Sequence, residues 1–208
     1  MIAKSLDIDT LNTQFRDKSP HEIIDWAIQQ TDHRIVTTSF GKYSAVLLHT
    51  FFQKDPNINI IWCDTGFNTP ETYKHALELM RLFQLNIHTY VPLQSRAYIE
   101  ATLGIPQVQT LEHERFTEIV KLEPFKRAFN EHKPELWFTN IRERQTELRS
   151  SKDIFSVSKQ GILKVSPYYY FKDHDLDAYL EKHNLSKNET YFDPIKALEN
   201  RECGIHLQ

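Results

Sequence analysis

Apolar positions along the chain follow two rhythms that alternate. "RIVTT" (34–38), "NINIIWC" (57–63) and "NIHTY" (86–90) are short runs rich in β-branched and aromatic residues, and each reads as a strand. The second is apolar at consecutive positions, which predicts a central strand covered on both faces. Helical periodicity separates them. "SPHEIIDWAIQQ" opens with Ser19 as cap, Pro20 at the first helical position and Glu22 completing a capping box. "SAVLLHTFFQK" and "PETYKHALELMRLF" predict two further helices, the latter capped by Thr69, and "SRAYIEATLG" predicts another that ends at Gly104. Three strand–helix alternations predict an α/β fold, with a parallel sheet and right-handed crossovers. Beyond them come a helix ("PFKRAFNEH"), a strand ("ELWFTN"), a hairpin turning at Lys159-Gln160-Gly161 and an amphipathic helix ("DHDLDAYLEKHN"). From Ser186 onward no period is strong and the chain reads as a tail.

A single domain is expected over 1–208: N-terminal helices over 1–33, an α/β core over 34–185 and a tail over 186–208. In such a sheet ligands bind past the carboxyl ends of the strands. Two loops follow strands and therefore share that edge. In Ser39-Phe40-Gly41-Lys42-Tyr43-Ser44 a helix N-terminus and two hydroxyls could hold an anion, with Gly41 allowing close approach, or the stretch could be a plain βα turn. In Asp64-Thr65-Gly66 the carboxylate could accept from a ribose hydroxyl or an adenine amino group, or merely cap a turn.

Charge refines this picture. Net charge is −3, which gives no overall basic signature for nucleic acid, and no apolar run approaches a membrane span. Yet from Lys121 to Lys164 the chain carries ten basic side chains against six acidic ones, a local reversal that could serve a small anion. If "NIRERQTELR" is helical, Arg142, Gln145 and Arg149 share one face; the alternative is a solvated face with Glu143 and Glu147 as intrahelical partners. Two cysteines, Cys63 and Cys203, make no disulfide framework, and the ten histidines contain no HExxH. A structural zinc or an iron–sulfur cluster needs about four ligands, so neither is expected; the reducing cytoplasm is. Cys63 reads as a buried strand residue. Cys203, in "RECGIH", is either an idle thiol or a nucleophile. An unassisted thiol is only about 3% thiolate at pH 7, so attack would need cations, which Arg201, His206 and the basic segment could supply.

The stretches "TTSFGKYSAVLLH", "DTGFNTPETY", "KLEPFKRAF", "WFTNIRERQTELRS", "GILKVSP", "LDAYLEKHNL" and "ECGIH", in that order, resemble the phosphoadenylyl-sulfate (PAPS) reductases of the adenine-nucleotide α-hydrolase-like group. The resemblance runs from about Arg34 to Leu185 and resumes at "ECGIH". It implies a Rossmann-like parallel sheet flanked by helices, with a C-terminal hairpin and helix region and a mobile tail. By the same resemblance Ser39, Phe40, Gly41, Lys42 and Ser44 hold the 5′ side of the nucleotide, and Asp64, Thr65 and Gly66 line the adenosine pocket. Lys121, Arg142, Gln145, Arg149 and Lys164 contact charged groups, with Arg201 and His206 from the tail. Cys203 attacks the sulfonate sulfur, adenosine 3′,5′-bisphosphate leaves, and thioredoxin or glutaredoxin releases sulfite from the S-sulfocysteine. The resemblance also implies a homodimer, no bound cofactor and no iron–sulfur cluster, since the CC pair and later CxxC of the cluster-bearing relatives are lacking.

ATP-splitting relatives carry SGGxDS in the first loop. Here Phe40 stands in place of a glycine and Tyr43 in place of the aspartate. That argues against an ATP-dependent adenylyl- or thio-transferase, the second reading; a non-catalytic nucleotide-binding homologue is the third. Two departures from the family pattern are Asn140, where a glycine precedes the arginine motif, and "NLSKNETYFDPIKALEN", which lacks a Gly-Asp-Thr-His-like segment.

Overall fold

The computed structural model describes residues 2–106 and 110–193. Six strands form one sheet: β1 (Arg34–Thr38), β2 (Asn59–Cys63), β3 (Ile87–Tyr90), β4 (Leu136–Phe138), β5 (Phe155–Val157) and β6 (Leu163–Val165). Their spatial order is β3-β2-β1-β4-β6-β5. All neighbours are parallel except β5, which returns antiparallel to β6 through a turn where Gly161 adopts φ +80°. The α-helices among the described residues are α1 (Ile8–Phe15), α2 (Pro20–Ile28), α3 (Ser44–Lys54), α4 (Pro70–Phe83), α5 (Arg96–Thr102), α6 (Leu111–Thr117), α7 (Glu123–His132), α8 (Glu147–Ser150) and α9 (Asp173–Lys182). The predicted caps are present: Ser19 and Glu22 form their reciprocal box, and the Thr69 side chain accepts from Thr72 N.

Alternation along the strands explains the layers. Val36, Ile60, Trp62, Leu136 and Phe138 face a core shared with α2, α3, α4 and α9. Ile35, Ile61 and Trp137 face the opposite core, built with Ile99, Phe116, Val120, Phe125 and Phe129. Both faces are therefore covered, as the unbroken apolar run of β2 implied. Edge strand β5 is held from outside: Asn12 Nδ2 donates to Phe155 O at 2.9 Å, and Phe155 N donates to Asn12 Oδ1 at 2.8 Å.

The chain winds from β1 through β2 to β3 on one side, then crosses back to lay β4 on the other side of β1. The order reverses between β1 and β4, so the two loops leaving these strands diverge and open a crevice. That crevice positions the site. The stretch from Ser186, read as a tail, forms no helix or strand as far as Asp193, yet it packs against the core. Asn188 and Asp193 are buried, and Asn188 Nδ2 donates to both Phe40 O (2.8 Å) and Thr72 Oγ1 (3.0 Å). Individual polar contacts hold this segment, which no periodicity announces.

One packing feature gives the fold a pH dependence. His49 of α3 sits beside His183 (ring centroids 4.6 Å apart), and its Nδ1 is 2.9 Å from the Tyr179 hydroxyl. Burial, then His183 and His21, push the His49 imidazole below its ordinary range. Burial first also depresses His21, His75 and His132. Depressed imidazoles bind fewer protons folded than unfolded, so stability falls as pH drops below about 6.5. Carboxylates held low, such as Glu22 at about 2, lose their contribution only in stronger acid. Urea unfolding at pH 7.5 and 5.5 is expected to show lower stability at 5.5, with a smaller difference in His49→Gln; an unchanged difference would remove His49 from the account.

Candidate active site

A cavity of about 270 Å³ lies at the carboxyl ends of β1 and β4. Thr37 and Thr38 of β1, the following loop (Ser39, Gly41, Lys42, Tyr43) and Ser44 of α3 form one wall. Thr139, Asn140, Ile141 and Arg142, which follow β4, form the other with Gln145 and Arg149; Lys121, Tyr191 and Asp193 close it.

The first wall is shaped for close approach. Phe40 holds a left-handed backbone (φ +49°), its N–H donates to Thr38 Oγ1, and its ring is wholly buried edge-on against Trp62 at 4.9 Å. Ser44 Oγ donates to Gly41 O at 2.8 Å, and no side chain caps the N-terminus of α3, whose dipole favours an anion there. The Tyr191 ring lies over Gly41: a Cβ there would meet the ring at 3.6 Å and Ser39 Oγ at 3.4 Å, both ordinary contact distances. Phe40→Gly would relax a left-handed strain of about 1–2 kcal/mol but empty a buried ring site worth about 3–5 kcal/mol, so a net loss of about 1–4 kcal/mol is expected. Chemical denaturation measures it; a stabilised variant would mean that the strain dominates.

The second wall departs from the helical expectation. Glu143–Gln145 is a single 3₁₀ turn, Thr146 is extended (φ −154°, ψ 160°), and α8 starts afresh at Glu147. Arg142, Gln145 and Arg149 still converge, through contacts rather than one helical face. Gln145 Oε1 accepts from Arg142 N at 2.9 Å and from Arg149 Nη1. Arg149 is buried, so the solvated-face alternative fails for it. Asn140 Nδ2 donates to Tyr43 O at 3.0 Å, tying the two walls together.

Cations collect around Tyr43. Arg142, Lys42 and Lys187 lie 5.0, 5.0 and 5.7 Å from its ring centre. Asp173, at the start of α9, bridges Arg142 Nη1 (2.5 Å) and Lys42 Nζ (3.4 Å). Burial opposes ionisation of Asp173, but Arg142 and then Tyr43 and Lys42 outweigh it and hold its carboxyl below the ordinary range. Burial raises the Tyr43 phenol. Lys121 lies in a π-helical stretch (Glu118–Leu122) between α6 and α7, and its ammonium donates to Asp193 Oδ2.

The remaining predicted residues lie elsewhere. Asp64 Oδ1 accepts from Gly66 N, Asn68 Nδ2 and the Tyr73 hydroxyl, Thr65 is buried, and Gly66 adopts φ +77°; none of the three lines the cavity. Lys164, buried in β6 with Nζ 4.6 Å from the Trp137 ring centre, does not line it either. Cys63, expected to be buried, is half-buried and does line it, because β2 ends there. Arg201, Cys203 and His206 lie outside the described residues. Sequence reasoning passed over Thr37, Thr38, Thr139, Tyr191 and Asp193, and named Asn140 only as a departure from the family pattern; for Thr37, Thr38, Thr139 and Asn140, hydroxyl and amide side chains at strand carboxyl ends were the available signal. Among the described residues no group of three or more His, Cys, Asp or Glu side chains could hold a metal ion, and no helix is long and apolar enough to cross a membrane.

The phosphoadenosine phosphosulfate reductase domain model matches residues 33–198. Phosphoadenosine 5′-phosphosulfate reductase of Proteus mirabilis is 31% identical over 97% of this chain and 92% of its own length. The enzyme of that name from Xanthomonas oryzae pv. oryzae is 37% identical over 96% of this chain and 92% of its own. The crystal structure of phosphoadenylyl-sulfate reductase from Candida auris, a phosphate complex, superposes with a TM-score of 0.77 at 25% identity, covering 88% of each chain.

Proposed function

Since the chain belongs to the phosphoadenosine phosphosulfate reductase family, we propose that its cavity takes 3′-phosphoadenylyl sulfate and that the enzyme reduces the sulfonate to sulfite, releasing adenosine 3′,5′-bisphosphate, as a step of sulfate assimilation. The observation that carries this reading is the convergence of Lys42, Lys121, Arg142 and Arg149 on one cavity at the strand-order reversal. The Candida auris relative was crystallised with phosphate, in keeping with an oxyanion pocket in this fold.

In this reading the Ser39–Ser44 loop and the α3 N-terminus hold the 5′ phosphosulfate, while Lys42, Lys121, Arg142, Gln145 and Arg149 hold charged groups and stabilise the departing bisphosphate. Asp64, Thr65 and Gly66 keep the loop after β2 in shape at the adenosine end, and Lys164, on β6 next to β4, adds to the positive field around the site. The Cys203 thiolate attacks the sulfonate sulfur, the S–O bond to the nucleotide breaks, and an S-sulfocysteine forms. Arg201 and His206 favour the thiolate. A dithiol protein, thioredoxin or glutaredoxin, supplies two electrons, releases sulfite and becomes a disulfide. In this reading the protein works in the cytoplasm as a homodimer. Tyr43 supports this chemistry over ATP cleavage, because an aromatic ring ringed by cations stands where a metal-binding carboxylate would be needed.

The test is intact mass after addition of 3′-phosphoadenylyl sulfate without reductant. One SO₃ group per chain is expected, removed as sulfite by reduced thioredoxin. Binding of the bisphosphate with no covalent gain would make the protein a non-catalytic nucleotide binder, and magnesium-dependent pyrophosphate release from ATP would make it a transferase.

A further inference from the structure

Arg142 and Lys42 reach the cavity from opposite walls, and one carboxylate outside it holds both. Arg142 follows β4 and Lys42 follows β1; each lines the cavity, whereas Asp173 does not. Asp173 Oδ1 accepts from Arg142 Nη1 at 2.5 Å, and its Oδ2 accepts from Lys42 Nζ at 3.4 Å. The guanidinium carbon and the ammonium nitrogen each stand 5.0 Å from the centre of the Tyr43 ring. We propose that Asp173 is a positioning residue: it sets the direction in which Arg142 presents its guanidinium to an oxyanion, and through Lys42 it keeps the two walls in register. The proposal rests on Arg142 being a substrate contact, and it gives a role in binding to a residue outside the cavity.

An arginine side chain has many rotamers, so a guanidinium that must meet an oxyanion in one orientation needs support from outside its own residue. The local backbone supplies little. Arg142 is extended (φ −134°, ψ 149°) and precedes only a single 3₁₀ turn. Its N–H donates to Gln145 Oε1, which fixes the main chain and leaves the side chain to be fixed by something else. Asp173 is suited to that task because its own place is fixed. It is the first residue of α9, whose Leu176 and Leu180 are buried in the core and whose Tyr179 hydroxyl lies 2.9 Å from His49 Nδ1 on α3. The helix dipole also favours a carboxylate at that end. Two effects of the carboxylate oppose each other: orienting the cation favours an incoming anion, and negative charge nearby disfavours it. Exposure decides between them. The Asp173 side chain is 57% exposed and that of Arg142 only 11%. Solvent therefore screens the carboxylate's field, while its hydrogen bond still acts on an enclosed guanidinium.

Asp173→Ala and Asp173→Asn, each in the wild-type and the Arg142→Ala background, test it. Calorimetry reads the Kd of adenosine 3′,5′-bisphosphate and, separately, of sodium sulfate at constant ionic strength. Steady-state assays with 3′-phosphoadenylyl sulfate read KM and kcat. Asp173→Ala is expected to weaken both probes and raise KM by about tenfold, with a smaller fall in kcat, because the guanidinium meets the anion before the chemical step as well as during it. Asp173→Asn keeps an acceptor oxygen and should recover most of that loss. In the Arg142→Ala background, replacing Asp173 should change Kd and KM by less than about twofold, since the group it acts through is gone. Unmoved Kd and KM values, with or without a fall in kcat, would mean a merely structural role and overturn the proposal. Tighter binding in Asp173→Ala overturns it too, by making the carboxylate a plain competitor of the anion, and so does an equal loss with and without Arg142. Should wild type bind sulfate and not the bisphosphate, the nucleotide reading falls and the positioning role is decided on sulfate. Should the bisphosphate bind wild type and Arg142→Ala alike, the nucleotide reading stands and the positioning role falls. With neither probe bound by wild type, both fall.

Discussion

Cys203→Ser is expected to bind 3′-phosphoadenylyl sulfate and release no sulfite, a fall of about 10⁴-fold or more in turnover. The reason lies in the bond that must be made. A thiolate attacking the sulfonate sulfur leaves a sulfur–sulfur bond, which a dithiol can cleave with two electrons, freeing sulfite. A serine oxygen is barely ionised at neutral pH, and even a sulfated serine would offer a dithiol no sulfur to attack. The second thiol sharpens the test, because Cys63 also lines the cavity. Peptide mapping after a single turnover without reductant should place the SO₃ group on Cys203 in wild type and on neither peptide in the variant. Sulfonation of Cys63, or full turnover by Cys203→Ser, would overturn the mechanism.

Lys121→Met is expected to destabilise the protein, by up to about 3–5 kcal/mol, because it removes the ammonium that pairs with the buried Asp193 carboxylate. Exposures of 8% and 4% rule out the near-neutral outcome usual for surface pairs. The double variant Lys121→Met/Asp193→Leu should regain most of that loss, since apolar groups of similar volume often replace a buried ion pair at little cost. Urea unfolding of the four proteins closes the cycle. If the two single losses simply add in the double variant, the pair contributes no coupling and the contact is incidental. Catalysis should separate from stability: the refolded double variant keeps its fold but loses substrate affinity with the ammonium.

Strands and caps were legible in the sequence because each is a local decision. β1, the helix after it, and the capping at Ser19 and Thr69 rest on residues within one or two turns of each other. The strand-order reversal at β1 and β4 was not legible as a contact, although the crossover rule placed the loop after β1 on the ligand-binding edge. The arginine segment misled for a physical reason. Three- and four-residue spacing is a helical signature, but the extended Thr146 breaks the helix, and Gln145 gathers Arg142 and Arg149 through its carbonyl oxygen instead. Asn140 departs from the family pattern in sequence, and its amide spans the two walls, a contact that no local pattern announces. Asp193 could not be read at all: it belongs to a stretch with no period, and its partner is 72 positions away in sequence.

The Asn12 side chain bears on assembly. By bonding both the N–H and the C=O of Phe155, it takes up the outward backbone at one end of a strand only three residues long. A second polypeptide seeking to lengthen the sheet on that flank would find little main chain to join, and only by evicting α1. Any continuous sheet shared between two copies would therefore have to run through β3 at the far margin, and loss of Asn12 would open a sticky flank that the native protein keeps shut.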